Sequence, residues 1–104
     1  MITLHIDTRE INKVVARIDN NGEQFEEVST TETKRPESIL VLIDTLLTKT
    51  KIDKSQIDEI KVEEGPGSYT GLKVGISVAN ALSFSLNKPV NGKKYGELVE
   101  PTYQ

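Results

Sequence analysis

Cysteine is absent from this chain of 104 residues, and histidine occurs only once, at His5. Without thiols the protein can form neither disulfide bonds nor a thiolate metal site. A single imidazole does not supply the nitrogen ligands of an ordinary zinc site. The sequence therefore predicts one compact domain that depends on a modest hydrophobic core.

Strong charge of one sign and long apolar runs are lacking as well. The net charge is −3 at pH 7, and acidic and basic residues are mixed along the chain, so no basic patch for nucleic acid is predicted. The longest uncharged run, residues 74–87, is too short to cross a bilayer. Residues 1–8 lack the basic segment of a signal peptide. We therefore expect a soluble cytoplasmic protein with no membrane partner.

Hydrophobic alternation predicts a three-strand antiparallel meander in the first third of the chain. Apolar residues alternate with polar ones over residues 2–7 and again over residues 14–18. A turn is predicted at residues 19–22, where Asn-Gly ends the run, and a third strand near residues 25–28. These elements would form one half-buried sheet.

Helical patterns follow the meander. Pro36 is typical of a first helical turn, and the first helix is predicted to end near Thr50. A polar connector leads to a fourth strand over residues 59–64, a second helix over residues 70–86 and a short fifth strand over residues 88–94. The order β-β-β-α-β-α-β indicates an α/β layer fold with a mixed sheet and two helices.

A glycine-rich loop separates the fourth strand from the second helix. Two glycines around a proline, at residues 65–67, predict a tight turn, and Ser68 and Thr70 are candidate helix caps. The concavity of such a turn can hold an anion or dock another backbone closely. No Gly-Lys-Ser/Thr follows, and Gly71 falls one residue late for a dinucleotide fingerprint. The spacing favours a structural turn over a phosphate site.

Both predicted helices are nearly uncharged. Asp44 is the only charge between residues 38 and 48, and residues 74–87 carry none. A helix that covers one face of a sheet is normally polar on its outer side. We therefore predict a helical surface that binds a partner or a second copy, and the alternative is that the helices simply flank the sheet. Small residues such as Gly75 and Ala79 would let another helix approach closely.

Two carboxylates form a candidate metal site. Asp7 ends the first strand and Glu64 ends the fourth, so both would meet at one sheet edge if these strands are neighbours. Paired carboxylates can hold Mg²⁺ for phosphoryl chemistry, an arrangement similar to ribonuclease-H-like nucleases. A further acid would be needed, and only Glu97 and Glu100 remain downstream. The alternative is that both carboxylates are structural or solvated, and His5 is interpreted as an ordinary strand residue.

Three segments, residues 6–8, 65–75 and 79–84, together resemble the TsaB family, also called YeaZ, of bacterial tRNA threonylcarbamoyladenosine biosynthesis. The resemblance covers about residues 1–92, as an amino-terminal lobe, and leaves residues 93–104 as a carboxy-terminal tail. It implies an actin-like lobe with a ribonuclease-H-like core. It also implies a non-catalytic subunit that pairs through its two helices with TsaD, the paralogue that transfers the threonylcarbamoyl group to N6 of adenosine in tRNA.

Further partners follow from the same resemblance. It implies a TsaE-type ATPase, contact with tRNA only through the complex, and a homodimer when the chain is isolated. The residues expected at the partner interface are Gly65, Pro66, Gly67, Ser68, Tyr69, Thr70, Gly71, Lys73, Val74, Val78, Ala79 and Leu82.

The chain departs from the family pattern in four respects. Tyr69 replaces a usual Phe, Lys73 replaces a usual Arg, and Arg9 follows Thr8 where the family usually has Ser. The family also has a second lobe, so we expect a miniature form that lacks it.

An actin-like fold clamps nucleotide between two lobes. We therefore expect no cofactor on this chain alone, with ATP or ADP and Mg²⁺ only at an interface shared with the partner. The alternative function is a small ribonuclease-H-like metal-dependent nuclease, or a nucleotide-binding enzyme, that uses Asp7 and Glu64.

Overall fold

A computed structural model describes residues 1–30, 35–93 and Val99. These residues form four strands, two α-helices and one short 3₁₀ helix. In order these are β1 (Ile2–Asp7), β2 (Lys13–Asn20), β3 (Glu23–Thr30), α1 (Pro36–Thr50), the 3₁₀ helix (Lys54–Gln56), β4 (Glu59–Val62) and α2 (Tyr69–Leu86). The predicted order is confirmed as far as α2, and most of the predicted tail, Glu97 and Glu100 included, lies outside the described residues.

The strands form one mixed sheet in the order β3-β2-β1-β4. β1 pairs antiparallel with β2 and parallel with β4, and β2 pairs antiparallel with β3. Asn21 and Gly22 both adopt positive φ in the β2–β3 turn, as a two-residue hairpin requires. The predicted meander and mixed sheet are therefore confirmed.

The predicted fifth strand does not form among the described residues. Val90 makes only single bridges, to Ile60 and Lys93, and Lys94 lies outside the described residues. The chain turns at Asn91, whose side-chain amide accepts from the Val62 N–H (2.8 Å) and donates to the Val62 carbonyl (2.9 Å). The backbone of residues 89–91 therefore pairs with β4 only at Ile60, and the Asn91 side chain takes over at Val62.

Both helices cover the same face of the sheet. α1 packs on β2 and β3, α2 packs on β1 and β4, and the helices contact each other. Alternate strand residues such as Leu4, Ile6 and Ile18 point into this layer and are buried. No element within the described part of the chain covers the opposite face, where the cross-strand neighbours His5 and Arg17 lie.

The helices are more amphipathic than their composition suggests. α1 begins at Pro36, as predicted, and buries one side through five apolar residues: Ile39, Leu42, Ile43, Leu46 and Leu47. Val41 points outward with 64% of its surface exposed. The apolar residues of α1 therefore divide between the core and an outer surface.

No described helix is long and apolar enough to span a bilayer.

Candidate functional site: the glycine loop and the helix pair

The glycine loop joins β4 to α2 through a tight backbone path. Gly65 has φ +115°, a conformation that favours glycine, and the Gly65–Pro66 peptide is cis. The Ser68 hydroxyl caps α2 by accepting from the Gly71 N–H at 3.3 Å. Thr70 lies inside the first turn, so its prediction as a cap is wrong: helical geometry has already begun at Tyr69.

The loop docks on the backbone that follows β1. A Cβ atom on Gly67 would lie 2.8 Å from the Arg9 Cβ and 2.9 Å from the Arg9 carbonyl oxygen. The Ser68 N–H donates to that carbonyl at 2.9 Å. Of the two uses predicted for this turn, the structure shows the close approach of another backbone. Glycine is required at residue 67 because no side chain fits between the two segments.

Thr8 links the end of β1 to α2, and the sequence reasoning missed it. Its hydroxyl is fully buried and donates to the Gly71 carbonyl at 2.6 Å. Gly75, one turn further along α2, faces Thr8. The prediction that Gly75 helps another helix to approach is therefore wrong, because its open side is filled by a strand end. A Thr directly after a strand-ending Asp was the available signal.

The two candidate carboxylates have separate partners. Asp7 ends β1 as predicted, whereas β4 ends at Val62, so the prediction that Glu64 ends the fourth strand is wrong. Asp7 accepts from the Arg9 guanidinium, at 3.1 Å from Nε and 2.9 Å from Nη2. Glu64 accepts from the Asn91 amide at 2.8 Å. Within residues 1–30, 35–93 and 99, no group of three or more His, Asp or Glu side chains forms a metal cluster. The predicted Mg²⁺ pair of Asp7 and Glu64 therefore has no geometric support.

A shallow apolar groove runs between the two helices. Its volume is about 360 Å³ and its lining contains no charged side chain. We call it the helix-pair groove and define it by Pro36, Leu40, Ser77, Val78, Ala81, Leu82 and Ser85. Ser77, Ala81 and Ser85 are exposed, and they recur at the spacing of one helix face.

The predicted interface residues fall into three groups. Pro66, Gly67, Tyr69, Thr70 and Lys73 are exposed, and Gly65, Ser68 and Val74 are half-buried, whereas Gly71, Val78, Ala79 and Leu82 are buried within the chain. Ala79 has no exposed surface, so it packs against the core and does not present itself to a partner. Val78 and Leu82 form the floor of the groove. The predicted set omitted Pro36 and Leu40, whose position beside α2 only the tertiary structure shows.

Two further contacts border this region. The Lys73 ammonium lies 6.0 Å from the centre of the Tyr69 ring, at the outer limit of a cation–π contact.

On another flank of α2, the Asn80 amide donates to the Val99 carbonyl (3.1 Å) and accepts from the Val99 N–H (3.0 Å). Val99 is buried, and Asn80 thus bonds both polar groups of the Val99 backbone.

Comparison with known proteins gives a consistent set of relatives. The family model of TsaD, tRNA N6-adenosine threonylcarbamoyltransferase, matches residues 29–92. The TsaB protein of Haemophilus influenzae is 40% identical over 60 residues, which cover 58% of this chain and 24% of that protein. The TsaB protein of Bacillus subtilis is 25% identical over 114 residues, covering 99% of this chain and 50% of that protein.

Solved structures agree in fold. YeaZ from Pseudomonas aeruginosa superposes with a TM-score of 0.79 at 24% identity, covering 86% of this chain and 43% of that chain. The chain thus spans half or less of the length of these relatives. The resemblance stated from the motifs is confirmed, as is the α/β single-lobe fold. The TsaD model matches more than half of this chain, so the chain belongs to the family that this model describes, and the TsaB proteins among its relatives support a TsaB/YeaZ protein.

Proposed function

We propose that this chain acts in tRNA threonylcarbamoyladenosine biosynthesis as a non-catalytic subunit that binds a TsaD-type subunit through α1 and α2. The names of its TsaB relatives and the TsaD family model support the pathway. The observation that carries the binding role is the helix-pair groove, an uncharged apolar channel on the outside of the helix layer. Exposed apolar surface of this kind favours a protein partner.

The shape of the groove suits a partner helix. Ala81 is exposed, and Ser77 and Ser85 flank it along α2, so small side chains line one wall. Helix axes can approach more closely where the contacting side chains are small. The apolar floor of Val78 and Leu82 would then lose its remaining contact with water.

A non-catalytic role is supported by the engaged carboxylates. Asp7 is paired with Arg9, and Glu64 with Asn91, so neither is arranged as a metal ligand or general base. In this proposal ATP or ADP with Mg²⁺ is held only at an interface shared with the partner. A TsaE-type ATPase and tRNA join through the complex, and a homodimer uses the same groove when the partner is absent.

Co-purification with a tagged TsaD-type subunit from the same source tests the proposal, with affinity then measured by calorimetry. Ala81→Asp adds a negative charge at an exposed position of the groove. It should weaken binding by about tenfold or more, because complex formation would bury that charge with no opposite charge beside it. Gln24→Asp is the matched control: it adds the same charge on β3, the edge strand farthest from β4 and α2.

The choice of Ala81 separates binding from folding. Ala79→Asp would place a charge in the core and unfold the chain, so a loss of binding would carry no information. Ala81→Asp should leave the free energy of unfolding nearly unchanged. Absence of any complex with the parent chain, or equal affinity of Ala81→Asp and Gln24→Asp, would contradict the proposed interface. Light scattering of the two variants tests the homodimer in the same way.

A further inference from the structure

The Arg9 guanidinium lies between two carboxylates at one edge of the sheet. Its Nη2 is 2.9 Å from the Asp7 carboxylate, and its Nη1 is 3.6 Å from the carboxylate of Glu63. Asp7 ends β1, and Glu63 directly follows β4, the parallel neighbour of β1. The positive charge of Arg9 therefore lies between two acidic residues, one at the end of β1 and one directly after its parallel neighbour β4.

Arg9 binds Asp7 in more than one way. Nε donates to Asp7 Oδ1 (3.1 Å), Nη2 donates to Oδ2 (2.9 Å), and the Arg9 backbone N–H donates to Oδ1 (3.0 Å). The side-chain hydrogen bond to Asp7 and the negative charge of that carboxylate raise the pKa of Arg9 above its ordinary value. Because both carboxylate oxygens accept from Arg9, Asp7 faces a permanent cation at every accessible pH.

The backbone of Arg9 is also fixed. Its carbonyl accepts from the Ser68 N–H at 2.9 Å, and Gly67 packs directly against its Cβ. One residue thus contacts the ends of β1 and β4 and the loop that begins α2. Beside it lies an open depression of about 520 Å³, lined by Asp7, Arg9, Glu10, Lys13, Val15, Pro66 and Gly67.

The actin-like fold implies a metal-bound nucleotide near such a strand edge, and the residues present do not fit one. A divalent ion requires carboxylate oxygens that are open to it. Here the oxygens of Asp7 are directed at a guanidinium, and the glycine loop is closed on the Arg9 backbone.

We infer that Arg9 is a tethered cation, which holds the place at the Asp7–Glu63 edge that a divalent metal would otherwise take and so excludes such a metal from this edge. The exclusion follows from this chain's own Arg9, Asp7 and Glu63. It does not depend on the partner proposed above, because the helix-pair groove contains none of these residues.

Mn²⁺ binding to the full chain, followed by water-proton relaxation, tests the inference. The parent should show no saturable binding at millimolar Mn²⁺. Arg9→Gln should saturate at a Mn²⁺ concentration about tenfold or more below the highest one at which the parent is still unsaturated, because two carboxylates lose their neutralising charge. Lys13→Gln is the matched control. It removes the same charge from the same depression, where Lys13 lies 3.6 Å from Glu10, and should behave like the parent.

A conservative variant separates charge from structure. Arg9→Lys keeps the positive charge but loses the two-pronged contact, and it should still exclude Mn²⁺. Equal Mn²⁺ affinity of Arg9→Lys and Arg9→Gln would overturn the inference, as would an Arg9→Gln variant that binds no more tightly than Lys13→Gln. A further outcome overturns the inference even if Arg9→Gln does not fold. This outcome is saturable Mn²⁺ binding by the parent chain that is abolished by Asp7→Asn.

Discussion

Gly75 lies so close to Thr8 that a Cβ atom on the glycine would be 2.1 Å from the threonine Oγ1. This contact joins the middle of α2 to the end of β1, the central strand beside β4. The Thr8 hydroxyl reaches past Gly75 to the Gly71 carbonyl, one turn earlier on the helix. The distance between α2 and the sheet is therefore set by the absence of a side chain at Gly75 and by the buried hydroxyl of Thr8.

Gly75→Ala should destabilise the fold. Overpacking against Thr8 costs about 1–3 kcal/mol, and the better helix propensity of alanine offsets about 1 kcal/mol of it. We expect a net loss of about 1 kcal/mol in the free energy of unfolding, measured by urea denaturation. Ser77→Ala, at an exposed position of the same helix, is the control and should be neutral or slightly stabilising. A Gly75→Ala protein as stable as the parent would refute the close contact.

Thr8→Val should also destabilise the fold, for a different reason. Valine has nearly the same shape, but the Gly71 carbonyl would lose its buried hydroxyl donor, which costs about 1–3 kcal/mol. Thermal unfolding followed by calorimetry measures the change. Thr45→Val removes an exposed hydroxyl that bonds to the Val41 carbonyl within α1, and it should stay within about 0.5 kcal/mol of the parent. Equal effects at the two threonines would contradict the buried role of Thr8.

The cap of α2 can be assigned by two alanine substitutions. Ser68→Ala removes the oxygen that accepts from the Gly71 N–H and should cost about 1 kcal/mol of stability. Thr70→Ala lies in the first turn and should change stability by no more than about 0.5 kcal/mol. Chemical denaturation of both variants under the same conditions makes the comparison. A larger loss for Thr70→Ala would move the helix start and contradict the structure.

Stability should depend on pH through His5. Burial disfavours the charged imidazolium, and Arg17 and Lys61 repel it, so the pKa of His5 is lowered below its ordinary 6.5 against weaker opposing effects of Asp19 and Glu63. Between the lowered pKa and 6.5 the unfolded chain binds more protons than the folded one. Stability should therefore fall as the pH falls through that window.

An NMR titration of the single imidazole, with urea midpoints on both sides of pH 6.5, checks this dependence. His5→Gln should flatten the stability profile in the same window. A measured pKa at or above 6.5 in the folded protein, or an unchanged profile in His5→Gln, would show that the sign is wrong.

Asn80 should control the protection of the Val99 amide from hydrogen exchange. Asn80→Ala removes both hydrogen bonds to the Val99 backbone, so amide hydrogen exchange at Val99 should accelerate by about tenfold or more. Ser77→Ala, one turn earlier on α2, should leave that rate unchanged. If the Val99 amide of Asn80→Ala exchanges as slowly as that of the parent, the prediction is wrong and other contacts protect Val99.

Much of the fold was accessible from local sequence because its signals act over a few residues. Alternation identified three strands of the meander, Asn21-Gly22 identified the hairpin turn, and Pro36 identified the first residue of α1. The fifth strand failed for a related reason. A run around Val90 has strand-like composition, but its backbone pairs with β4 only at Ile60, because the chain turns at Asn91 and the side chain of Asn91 bonds to Val62.

The sequence by itself determined the helix and strand pattern, the near absence of charge on both helices and the tight turn at residues 65–67, since these follow from side-chain shape and backbone conformation. The close approach of Arg9 that requires glycine at residue 67 is seen only in the tertiary structure. Only the tertiary structure decided which small residues of α2 face the strand end and which line a groove, because Gly75 and Ala81 differ in surroundings and not in local pattern. It also brought Arg9 between Asp7 and Glu63. The pairing of β1 with β4 joins residues more than 50 positions apart, and no local signal in the chain specifies that distance.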